Sequence, residues 1–324
     1  MSKSIERKIL DQVYGKTHGW AVMPHESPDF LCHRNEAVIL GVEVTEYFDS
    51  ESDARLQNIS RYGRELIASR KYRHKDDSAS LRVEKITYFP GGDAAKGIKV
   101  DAIIRQLPQL NERLAKLSSI VTSKALKNVT YSENAPIVDL VIYDSRHAFR
   151  FEKLADIYRP LSASDVRSLI IASPFREVFL VTLGSDDKRV CVPLKANAFA
   201  EEIVICEHLF LAQAYAEPHD FDLAEFYQSL VDVLLHAGFG NTRLRLNDGE
   251  IHLRFSSIEF VYSRNGKLIN DLTPLPKDGN KDATVEILAR DITEEDCARA
   301  ARIRESRKEY TACMDLFFPA HADF

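Results

Sequence analysis

The stretch 27–48, SPDFLCHRNEAVILGVEVTEYF, places a carboxylate, Asp29, on one short apolar run and a second carboxylate, Glu43, inside a longer one. On a strand successive side chains alternate faces, so Glu43 and Thr45 share one face while Leu40, Val42 and Val44 share the other. The second set reads as a row facing the core. Asp29, on the neighbouring strand, is then the candidate to meet Glu43. Two acids brought together this way repel unless something positive holds them. A hard divalent cation suits an all-oxygen pair, and magnesium (or manganese) keeps several of its own waters in such a site. The chemistry open to that arrangement is metal-assisted hydrolysis.

The elements around the stretch must position these groups. Residues 3–14 repeat apolar side chains at helical spacing (Ile5, Ile9, Leu10, Val13). Strands are expected at 20–25, 29–33 and 36–47. A helix is expected over about 52–70, capped from Ser50 or Ser52, with Gly63 as its weak point. A strand at 81–89 should stop at Pro90-Gly91-Gly92. A long helix over about 99–127 follows, interrupted at Pro108. PIVDLVIYD, 136–144, is an apolar run typical of a strand buried on both faces. Beyond it, strands are expected at 168–172, 177–183 and 189–194, and helices at about 198–216 and 222–238, the latter stopped by Gly238. Two hairpins follow, marked by Asn247-Asp248-Gly249 and Asn265-Gly266, and a last helix starts at Thr293.

This order, helix, strands with Asp and Glu-x-Thr, helix, insertion and buried strand, resembles the PD-(D/E)xK (restriction-endonuclease-like) nuclease superfamily over residues 1–150. Pro28-Asp29 is similar to its Pro-Asp motif, and Glu43-Val44-Thr45 to its Glu-x-Lys motif, with Thr45 in the place of the usual lysine. The resemblance implies an α/β (α+β) fold with a central mixed sheet flanked by helices, and a second α+β domain over 151–324. It implies magnesium held by Asp29, Glu43 and the carbonyl of Val44, with Thr45 at the catalytic lysine position. Lys85, Lys124 and Lys127 are candidates for a lysine supplied from elsewhere, and Glu6 for an accessory acid. The activity implied is phosphodiester hydrolysis, in DNA before RNA, in a restriction-like or antiviral role. The alternative is a catalytically inactive nuclease fold used for binding or sensing, which Thr45 motivates.

A nucleic-acid surface is expected over 61–75, RYGRELIASRKYRHK, where Arg61, Arg64, Arg70, Lys71, Arg73 and Lys75 supply charge and Tyr62 and Tyr72 stacking. Gln57 and Arg61, read as one helical turn apart, are candidates to face the acids. Residues 1–150 carry 23 Lys and Arg against 20 Asp and Glu, while 151–324 carry 20 against 29, so the basic surface belongs to the first half. Residues 151–324 are left with recognition, homodimerisation or sensing as expected roles. No apolar run has the length of a membrane span, and the polar start lacks a signal-peptide core, so a cytoplasmic location is expected. The 5 cysteines form no CxxC pair, which argues against a zinc ribbon or disulfide framework. His25, His33 and Glu36 match no metal-ligand spacing.

Overall fold

The computed structural model describes residues 2–14, 20–89, 97–151, 160–161, 165–184, 187–203, 223–240, 242–247, 250–255, 258–262 and 268–271. The turn at 90–92, the tips of both later hairpins and the helix expected from Thr293 lie outside these residues. The chain divides into two compact units, one of residues 1–46 with 118–324 and one of Tyr47–Leu117.

The larger unit is mixed α/β. Helix α1 (Lys3–Tyr14) precedes strands β1 (Ala21–Pro24), β2 (Phe30–Arg34) and β3 (Ala37–Glu46). These form an antiparallel meander. After the smaller unit come the end of α5 (Leu110–Ala125), α6 (Asn128–Asn134) and β6 (Val138–Tyr143). Strand β6 lies parallel to β3, β7 (Val178–Leu183) parallel to β6, and β8 (Arg189–Pro193) antiparallel to β7. The result is a six-stranded mixed sheet in the order β1-β2-β3-β6-β7-β8. It draws strands from both sides of residue 150. Every residue of β6 is buried, as its unbroken apolar run requires.

The alternation read from β3 is what the fold uses. Leu40, Val42 and Val44 join Phe30, Cys32, Val141 and Phe179 in a core closed by Ile9, Leu10 and Val13 of α1. Cys32 is fully buried there, and burial pushes its thiol up to about 12. Asp139 of β6 faces this core and is held by the Arg176 guanidinium, the Tyr14 hydroxyl and the Glu177 N–H. A buried charge needs such partners. Asp139 therefore belongs to the α1 side of the sheet and not to the face that carries Glu43.

Residues 165–172 form a helix (Asp165–Ala172), not the strand expected at 168–172. Its apolar run SLII is too short to distinguish the two periodicities. A second core gathers the helical residues 194–203, the helix Leu223–His236 and the start of a four-stranded antiparallel sheet. That sheet comprises β9 (Arg243–Asn247), β10 (Glu250–Phe255), β11 (Ile258–Tyr262) and β12 (Leu268–Asp271). Gly238 follows the helix at φ +96°, and the N–H groups of Gly238 and Phe239 bond back to Leu235 and Leu234, as in a glycine-terminated helix. Among the described residues no helix is long and apolar enough to cross a membrane.

The smaller unit holds α2 (Glu51–Asn58), α3 (Tyr62–Ser69), α4 (Asp77–Ser80), and the antiparallel pair β4 (Leu81–Tyr88) and β5 (Ile98–Arg105). Ser50 caps α2 by accepting from the Asp53 N–H at 3.1 Å. The single helix expected over 52–70 is broken at Ile59–Arg61, where Arg61 takes a left-handed conformation (φ 64°). The break falls ahead of Gly63. The helix expected from residue 99 begins only at Leu110, because IKVDAIIR pairs residue for residue with β4. Its β-branched side chains favour the strand. Asp77 organises this unit, accepting from Ser52, Arg55, Tyr62 and the His74 N–H.

Candidate active site

The register Phe30 to Val42 and Leu31 to Gly41, continued by one step, sets Asp29 opposite Glu43. Asp29 sits just ahead of β2 in a loop held from three sides. Asn134, at the end of α6, donates to the Ser27 carbonyl at 2.8 Å. The Asp29 carbonyl accepts from the His25 N–H at 2.8 Å. Gly41 of β3 lets Pro28 and Ala135 approach so closely that a Cβ there would lie 2.6 Å from Pro28 Cγ and 2.9 Å from Ala135 Cβ. The acid is positioned by the loop and not by its own strand.

Both oxygens of Asp29 are engaged. Oδ2 accepts from the Val44 N–H at 2.9 Å, and Oδ1 lies 2.5 Å from the Lys3 ammonium. Lys3 also reaches Glu6, at 3.1 Å, one turn along α1. Partial burial would lower the Lys3 pKa, but hydrogen bonds to Asp29 and then Glu6, with their charges, leave it raised. Glu6 is itself buried. Lys3 thus ties the accessory acid expected from the sequence to Asp29.

Glu43 points to the face away from α1. It is buried, and its Oε1 lies 2.6 Å from the Lys124 ammonium, contributed by the last turn of α5. The Tyr131 hydroxyl of α6 is buried beside the same carboxylate. Burial raises its pKa first, and the negative charges of Glu43 and then Asp29 raise it further. No partner meets hydrogen-bond geometry for that hydroxyl among the described residues. Thr45 is half-buried two residues along from Glu43. Val44 contributes backbone, while its side chain packs in the α1 core. Glu46, on the opposite face, accepts from Ser145 at 2.6 Å.

Of the three lysines considered in the sequence, Lys124 is the one in contact with Glu43. Lys127 is exposed in the turn after α5, and Lys85 is exposed on β4 in the smaller unit. Lys3 and Tyr131 were not anticipated. Lys3 had a signal, an i,i+3 pairing with Glu6 on the helix that precedes the motif. Tyr131 had none, since nothing local marks a tyrosine 88 residues from its acid, a separation read directly from the numbering.

The basic run 61–75 lies in the smaller unit. Arg61, Arg64, Lys71 and Lys75 are exposed, and no ion pair joins them to an acid among the described residues. Arg70 pairs with Asp101 at 2.6 Å, and Arg73 pairs with Glu65. Tyr72 is 40% exposed, with its hydroxyl donating to the Leu81 carbonyl. Tyr62 cannot stack on a ligand: it is buried, and its hydroxyl is bonded to Asp77. Gln57 and Arg61 do not share one helix, because the chain breaks between them.

The donors gathered around β3 are all oxygen, which fits a hard cation better than zinc or copper. Two carboxylates suffice for magnesium, which leaves its remaining positions to water and phosphate. Among the described residues no group of three or more His, Cys, Asp or Glu is gathered closely enough to hold a metal ion. Comparisons with protein families, curated proteins and solved structures give no match to this chain.

Proposed function

We propose that this chain is a metal-dependent nuclease of the PD-(D/E)xK type, acting on phosphodiester bonds in DNA. The observation that carries the reading is the Lys124 ammonium 2.6 Å from Glu43, on the strand face where Thr45 brings no charge. A lysine from α5 then does the work that the Glu-x-Thr motif lacks. The order β1-β2-β3-β6, an antiparallel meander followed by a parallel strand, with α1 on one face, supports a restriction-endonuclease-like core.

In this reading Asp29, Glu43 and the Val44 carbonyl hold magnesium or manganese, which when bound polarises the phosphoryl oxygen and acidifies a water. The residues of the chain do the rest. Val44 N–H and Lys3 fix the Asp29 carboxylate, and the Asn134 bond fixes the loop beneath it. Lys124 places a positive charge where negative charge grows as water attacks phosphorus and the P–O bond to the leaving sugar oxygen breaks. Such a preorganised donor is worth about 10²–10³ in rate. The Thr45 hydroxyl can orient the water but cannot supply that charge.

The inactive reading, a binding or sensing fold, differs in one measurable respect. Calorimetric titration with magnesium or manganese should show binding in the wild type that Asp29→Ala and Glu43→Ala each abolish. Heat that is absent in the wild type, or unchanged in both variants, rejects the assigned site. Labelled DNA and RNA strands incubated in parallel with magnesium identify the substrate, with DNA expected to be cut faster.

A further inference from the structure

We infer that Tyr131 is a positioning residue of the proposed nuclease site. Its hydroxyl donates to the Glu43 carboxylate oxygen that Lys124 does not hold, and so fixes the plane in which Glu43 presents its charge. The role rests on the nuclease reading, since Glu43 needs a fixed plane only if it holds a cation. The hydroxyl is the starting point. Tyr131 is 1% exposed, and its oxygen is enclosed without a hydrogen-bond partner among the described residues. A buried donor left unpaired costs stability, and a phenylalanine ring would fill the same space without that cost. Tyr14 and Tyr62, also buried, are different: their hydroxyls donate to Asp139 and Asp77. Tyr131 keeps a hydroxyl that the packing of its ring does not use.

The helix that carries Tyr131 is fixed to both acids. Helix α6 packs on β3, and the Tyr131 carbonyl accepts from the Ala135 N–H at 3.0 Å. Ala135 lies against Gly41 of β3, and Asn134 donates to the Ser27 carbonyl in the loop of Asp29. One short helix thus grips the strand of Glu43 and the loop of Asp29. The charges that act on the Tyr131 hydroxyl are those of Glu43 and, after it, Asp29.

Glu43 has a place for a second donor. Lys124 takes Oε1 at 2.6 Å, and among the described residues no hydrogen bond is made to Oε2. The last torsion of a glutamate is broad, so one donor leaves the carboxylate free to turn, while donors on both oxygens define its plane. The enclosure of the Tyr131 oxygen also selects the acceptor. A phosphate oxygen arriving from solvent does not reach it, whereas the carboxylate lies beside it and comes into bonding geometry by a small turn. A phenol keeps its proton at neutral pH, so Tyr131 is a donor throughout the working range. Hydrogen-bond partners of this kind orient a metal-ligating carboxylate and tune its affinity for the metal.

The test compares Tyr131→Phe with Tyr14→Phe in the full chain. Three readouts are needed: thermal melting without metal, calorimetric titration with magnesium, and initial cleavage rates over a magnesium series. Tyr131→Phe should melt no lower than the wild type, because it removes an unpaired hydroxyl. It should nevertheless bind magnesium about 10- to 100-fold more weakly. Its cleavage rate should recover as magnesium is raised, which that of Glu43→Ala should not. Tyr14→Phe strips a made bond from Asp139, on the opposite face of the sheet, and should do the reverse. It should melt lower and bind magnesium as the wild type does. Wild-type magnesium affinity in Tyr131→Phe overturns the proposal, whatever its melting temperature, since the hydroxyl then serves at most the fold. A wild type that binds no magnesium and cuts no DNA rejects the nuclease reading, and this role with it. That result is distinct from a wild type that binds and cuts while Tyr131→Phe matches it, which rejects the role alone.

Discussion

In the nuclease proposed above, Lys124 beside Glu43 supplies the charge that Thr45 lacks, and its removal should separate rate from folding. Lys124→Ala is expected to slow magnesium-dependent cleavage about 10²–10³-fold, with Lys124→Arg retaining part of the rate because it keeps the charge. Initial rates on a labelled DNA strand, beside thermal melting of each variant, check this. A different buried ion pair is structural. Asp139 and Arg176 are buried and doubly bonded, so Arg176→Ala leaves a buried carboxylate without its countercharge, held only by the Tyr14 hydroxyl and the Glu177 N–H. It should cost about 3–5 kcal/mol in urea unfolding. That Glu43 would have a charged partner was legible, because a carboxylate inside an apolar strand is costly alone. The lysine was legible only as one of three. Lys124 stands 81 positions from Glu43, and no local pattern encodes a contact across that distance.

The apolar patterns of β3, β6, β7 and the hairpin strands decided their own state, since each has one reading as a half-buried or fully buried strand. The misread segments were those where two periodicities fit. IKVDAIIR joins β4 instead of opening a helix, and SLII in the helix Asp165–Ala172 reads equally as strand. Gly41 shows how one position in a strand governs a neighbouring loop. A methyl group there meets Pro28 and Ala135 well inside van der Waals contact. Gly41→Ala should therefore destabilise the chain by about 1–3 kcal/mol, as overpacking does. It should also lower cleavage beyond the loss of folded protein, because the Asp29 loop must shift. Activity per folded molecule, measured below the melting transition, tests that second effect. A rate that tracks stability alone would show that the loop keeps its place.

Charge and connectivity divide the chain differently from its midpoint. The six-stranded sheet takes β7 and β8 from beyond residue 150, while the compact unit Tyr47–Leu117 interrupts the larger one after β3. Composition by halves did register the basic excess of the first half, but could not show that it collects in an insertion. With a sequence pI of about 6.0, the chain should be repelled by a heparin matrix at neutral pH if net charge ruled. It is expected instead to be retained through the basic unit. Arg64→Ser/Lys71→Ser/Lys75→Ser should elute at lower salt, and co-elution with wild type would show that these residues are not the contact. The nuclease reading itself stands on plasmid nicking with magnesium by the wild type, Asp29→Ala, Glu43→Ala and Lys124→Ala. The expected result is cleavage by the wild type that EDTA stops, a loss of about 10³-fold in either acid variant, in keeping with several kcal/mol of metal-derived stabilisation, and an intermediate rate in the lysine variant. Cleavage at the wild-type rate by both folded acid variants would contradict it.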